Sequence, residues 1–92
     1  MPLNLARAYV LAGARNYAAA ENSAQQVLAQ ARQLGFFQLQ LEASLALGEV
    51  EMQRKNYESA RKRLAGTEKI ARSKGFELIA QKASAARQAT NR

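Results

Sequence analysis

Side-chain chemistry needs groups that can carry a proton, bind a metal or donate an electron pair, and this 92-residue sequence offers few. It contains no His, no Cys and no Asp, so an imidazole base, a thiolate nucleophile and the usual zinc ligands are all missing. Its acids are seven Glu residues. Glu49 and Glu51 lie two apart, and on a helix such a pair cannot face one another. Glu58 has Arg54, Arg61 and Lys62 at helical neighbour spacing, Glu51 has Lys55, and Glu68 has Arg72. These read as surface ion pairs contributing about 0.2–0.5 kcal/mol each. Gly35 and Gly75 stand alone as helix stops, and Gly13 and Gly66 lack the Lys-Ser/Thr that follows a phosphate loop. The expectation is a protein without catalysis, cofactor or metal.

Charge suggests partners instead. The net charge is +7, with 3 basic and 2 acidic residues before position 46 and 11 and 5 after it. Arg54-Lys55, Arg61-Lys62-Arg63, Lys69, Arg72 and Lys74 gather around one segment, 57–74. Consecutive helical positions are about 100° apart, so 61–63 fan over the surface rather than forming one phosphate-binding face. Aromatic residues do not interleave with them as stacking platforms. Nonspecific nucleic-acid binding through this segment is therefore the alternative, behind a protein or peptide partner. No run of about 18 apolar residues could cross a membrane. The opening residues show no basic segment leading into an apolar block, so the expected compartment is the cytoplasm.

The elements that position these residues are helical. Ala, Leu, Gln, Glu, Lys and Arg dominate, and no stretch alternates with period two. Apolar periodicity predicts five helices over about 3–14, 17–34, 37–55, 57–74 and 77–90. Asn16 and Asn56 stand as side-chain N-caps before the second and fourth. Gly35 and Gly75 stop those two helices. The text also repeats itself. Asn16-Tyr17-Ala18-Ala19-Ala20 returns as Asn56-Tyr57-Glu58-Ser59-Ala60, and Ala31-Arg32-Gln33-Leu34-Gly35-Phe36 as Ala71-Arg72-Ser73-Lys74-Gly75-Phe76, always 40 residues later. A fixed period of this size marks units that bury their apolar faces against one another. Connections of two or three residues force antiparallel hairpins. Small residues at Ala8, Ala20, Gly48 and Ala60 let helices approach; Tyr17 and Tyr57 are expected to wedge against the preceding helix, and Phe36 and Phe76 to plug the junctions.

The residues Leu45-Ala46-Leu47-Gly48, Asn56-Tyr57-Glu58-Ser59-Ala60, Leu64, Ala71-Arg72 and Gly75 resemble a tetratricopeptide repeat. The period resembles the long-helix variety found in C-terminal regions of bacterial Ser/Thr kinases and winged-helix regulators. The resemblance departs at Arg7-Ala8, which stands where the second unit has Leu47-Gly48, and the family's frequent Trp and unit-ending Pro are missing. It implies an all-α fold, a short right-handed solenoid of about five helices, divided as a partial unit 1–35, a full unit 36–75 and a capping helix 76–92. It also implies a scaffold role, with a partner in the concave face lined by the first helix of each hairpin. On this chain that face comprises Leu5, Tyr9 and Ala12, then Leu45, Glu49, Met52 and Gln53, then Lys82, Ala85 and Ala89. The family's carboxylate clamp does not carry over, because Leu45, Ala46 and Glu49 occupy its places.

The repeat phase adds an expectation. Shifting the start of the second unit back by one period places it before residue 1, so the chain is expected to be the C-terminal end of a longer array. The last helix, with Gln81, Lys82, Ser84, Arg87 and Gln88, reads as a polar cap. The first helix is apolar, and self-association through it is expected.

Overall fold

The computed structural model describes residues 5–89. They form five helices: α1 (Ala6–Gly13), α2 (Tyr17–Leu34), α3 (Phe37–Gln53), α4 (Tyr57–Ser73) and α5 (Glu77–Gln88). No strand occurs among the described residues. The expected start of the first helix at Leu3 and the expected end of the last at Thr90 lie outside them.

Each of the first four helices ends by the same device. Arg15, Gly35, Lys55 and Gly75 take left-handed φ values of 63°, 73°, 67° and 85°. The next residue then donates its N–H back to the last turn: Asn16 to Leu11, Phe36 to Ala31, Asn56 to Glu51 and Phe76 to Ala71, at 2.8–2.9 Å. The carbonyl of that same residue accepts the first i→i−4 hydrogen bond of the following helix, as Asn16 does from Ala20 and Asn56 from Ala60, both at 3.0 Å. A single residue thus closes one helix and opens the next. The expected side-chain caps are corrected accordingly: neither Asn16 nor Asn56 makes a side-chain cap hydrogen bond. The left-handed Lys55 also explains why α3 stops at Gln53 rather than at residue 55.

Consecutive helices pack on one another through these short turns, so the chain reverses at each. Leu41 near the start of α3 clusters with Ala71 near the end of α4, and Val50 near the end of α3 with Ala20 near the start of α2. Helix α3 also touches α1 and α5. Two layers result, α1, α3 and α5 in one and α2 and α4 in the other. Their Cα envelope is 37 × 33 × 17 Å, the thin dimension matching two helices at a spacing of about 8–10 Å.

Several residues 40 apart share environments. Ala20 and Ala60, Ala31 and Ala71, and Ala43 and Ala83 are all fully buried. The close approach expected at Gly48 is real, since a Cβ there would lie 2.5 Å from Leu64 Cδ2. Three expectations fail. Phe36 and Tyr57 are exposed and plug or wedge nothing, whereas Tyr17 packs against Ala12, Ala20 and Val50. Phe76 does pack on Leu41, Ala71 and Ala80, and its ring stacks on Phe37 at 6.4 Å. Glu51 is not a surface residue paired with Lys55: it is buried, with Arg63 Nε at 2.8 Å and the Ser59 hydroxyl donating to its other oxygen. The turn that makes Lys55 left-handed carries it past the helix, while Arg63 on the neighbouring helix reaches the carboxylate.

Candidate partner-binding groove

The layer of α1, α3 and α5 carries an open groove lined by side chains from all three helices. Some of these side chains are 40 residues apart. Tyr9 and Glu49 are such a pair, and the Tyr9 hydroxyl donates to Glu49 Oε1 at 3.0 Å. The groove has two adjoining parts of about 720 and 490 Å³, and Tyr9, Leu45 and Lys82 line both. In the larger part Leu5, Leu39, Leu45, Phe76 and Ile79 supply an apolar floor. Gln38, Glu42 and Glu77 stand at its rim. Glu49, Ala85 and Ala86 finish the smaller part.

The polar groups converge on Tyr9. Burial, the Glu49 carboxylate that accepts its hydrogen bond and the further charge of Glu42 together raise its phenol well above the ordinary value of 10. Glu42 accepts a hydrogen bond from Gln38 Nε2 at 3.1 Å. Neither donor, phenol nor amide, carries charge, so these carboxylates are hydrogen-bonded without being neutralised.

Of the ten residues expected to face a partner, the structure brings six to the groove: Leu5, Tyr9, Leu45, Glu49, Lys82 and Ala85. The other four lie elsewhere. Ala12 is buried against Ala20 and Val50, and Met52 packs on the cluster of Leu45, Ala60, Leu64 and Ala83. Gln53 and Ala89 are exposed at the ends of α3 and α5 without lining the groove. Residues not anticipated are Gln38, Leu39 and Glu42 at the start of α3 and Phe76, Glu77 and Ile79 at the start of α5. Their signal was present: the starts of α3 and α5 are themselves one period apart.

The basic segment is less available than its sequence implies. In α4, Lys62 pairs with Glu58, Arg63 with Glu51, and Arg72 with Glu68, which also binds Arg87. Among the described residues there is no cluster able to hold a metal ion, and no helix is long and apolar enough to cross a membrane. Comparison with protein-family models, curated proteins and solved structures found no match.

Proposed function

We propose that this protein is a non-catalytic interaction module, a short right-handed stack of tetratricopeptide-like hairpins that seats a peptide or protein segment in the groove of α1, α3 and α5. The reading places it in the cytoplasm as a scaffold element of a bacterial signalling protein. The observation that carries it is the groove: a concave, apolar-floored surface drawn from equivalent positions of successive repeats and rimmed by polar groups. The shared burial of residues 40 apart supports the stacked arrangement.

The test is selection of binders from a random peptide library, followed by mapping of amide shifts on the isotope-labelled protein. Shifts at Leu39, Leu45 and Ile79, abolished by Ala85→Trp combined with Glu49→Lys, are expected. Binders whose shifts fall on α2 and α4 instead, or indifference to the double substitution, would overturn the groove.

A second reading concerns α1. Val10 is 71% exposed while its repeat counterpart Val50 is 1% exposed, covered by the preceding hairpin. Ala6 is likewise exposed where Ala46 is fully buried. In this reading the α1 face pairs with a second copy. Sedimentation should then show dimers that Val10→Lys dissolves; a monomer at millimolar concentration removes the idea.

A further inference from the structure

The seven glutamates divide into two sets. Glu21 pairs with Arg54, Glu51 with Arg63, Glu58 with Lys62, and Glu68 with Arg72 and Arg87. Glu42, Glu49 and Glu77 have no cationic partner among the described residues, and all three line the groove. The division matters because cations outnumber acids 14 to 7, so a carboxylate left without one stands out. Glu42 and Glu49 are seven residues apart on α3, two turns along one face. Glu77 opens α5 across the larger part of the groove. Three carboxylates therefore share the groove with a single ammonium, Lys82, inside a protein that is otherwise strongly basic.

From this placement we infer that the groove's occupant is a cationic amphipathic segment of another protein, one whose Arg or Lys side chains meet Glu42, Glu49 and Glu77 while its apolar side chains enter between Leu39, Leu45 and Ile79. The inference rests on the proposed groove function and specifies its partner. Charge complementarity selects the partner here. An acidic segment would place its carboxylates against three others and is rejected locally. The chain's net charge attracts that acidic segment from a distance, so global and local electrostatics pull in opposite directions. That opposition makes the test discriminating.

Two labelled peptides of about 12 residues with the same Leu spacing, one carrying three Arg and the other three Glu, are titrated against the protein at about 50 mM salt, where exposed charges still interact. The Arg peptide should bind in the groove about tenfold more tightly, and weaken as salt rises. Joint Glu42→Gln, Glu49→Gln and Glu77→Gln substitution should lower its affinity about tenfold, about twofold for each ion pair lost. Lys82→Gln should raise that affinity about threefold by removing the opposing charge. Glu58→Gln, which changes a paired carboxylate on α4, should leave it unchanged.

A Glu peptide that binds the groove as tightly as the Arg peptide, or an affinity untouched by the triple substitution, would overturn the cationic specificity while leaving the groove as a docking surface. If neither peptide shifts the amides of Leu39, Leu45 or Ile79, the groove function itself falls, and the inference with it.

Discussion

The hairpin α1–α2 and the hairpin α3–α4 share a repeat frame but seal their seams with different chemistry. At one set of equivalent positions the first hairpin has Leu11, Ala19 and Ser23, which border a shallow pocket of about 320 Å³. The second has Glu51, Ser59 and Arg63 there, closed into a hydrogen-bonded ion pair in which Glu51 is buried. At another set, Ala8 and Ala24 share a cluster in the first hairpin, whereas the second seats Leu64 in the notch left by Gly48. The backbone plan is therefore tolerant. Equivalent seams accept either small and apolar side chains beside a shallow pocket or a closed polar network, so the plan does not demand particular residues.

Exchanging these solutions tests that lesson. Leu64 is fully buried, so Leu64→Ala should cost about 2–5 kcal/mol in urea denaturation, the largest effect expected. Gly48→Ala should cost about 1–3 kcal/mol, and the two together less than their sum, because each relieves the other's misfit. Additive losses would show that Leu64 does not depend on the notch.

Arg63→Ala strands the Glu51 carboxylate with only Ser59 and should cost about 2–3 kcal/mol, somewhat less than a fully buried pair because Arg63 keeps a third of its side chain exposed. Transplanting the first hairpin's residues, Glu51→Leu with Ser59→Ala and Arg63→Ser, should cost less than that single change. A triple variant less stable than Arg63→Ala would mean that the polar closure carries stability of its own.

Smaller effects are expected at the turns. The tip inside each hairpin uses a basic residue in the left-handed conformation, Arg15 or Lys55, and the turn between hairpins uses Gly35 or Gly75. Gly35→Ala should lose about 1 kcal/mol, and Arg15→Gly should gain about 0.5 kcal/mol by removing a steric penalty partly offset by chain entropy. Equal responses of opposite turns would contradict the asymmetry.

The least effect is on pH dependence. A phenol whose folded pKa lies above its unfolded value of 10 contributes stability that is whole below pH 10 and drains away as pH rises beyond it. Ultraviolet titration should show a late-ionising phenol that Tyr9→Phe removes, and the same substitution should flatten the alkaline loss of stability. A titration from which Tyr9→Phe removes no late component would deny the combined effect of burial and the nearby carboxylates on Tyr9.

Much of this arrangement could be read before any coordinates. Helix identity followed from composition, and the duplicated Asn-Tyr and Gly-Phe groups marked the turns. The ends of α2 were placed correctly because Gly35 announces its conformation. Arg15 and Lys55 announce nothing, since a basic residue in a left-handed turn has no local signature. Glu51 was misjudged because spacing along one helix reveals Lys55 and not Arg63, which arrives from another. The middle of the groove was legible through Leu5, Tyr9, Leu45 and Glu49, all at equivalent repeat positions. Its open end was legible only in part: the one-period spacing of the α3 and α5 starts was there to read, whereas nothing local tells that Phe76 packs inward while Phe36 stays exposed.

Helix α3 packs against each of the other four. No subset of the chain can therefore detach without stripping one flank of that helix, and partial unfolding should begin at α1 or α5 and stop there. Amide protons in the middle of α3 would be the last to exchange with solvent, opening only when the entire molecule does.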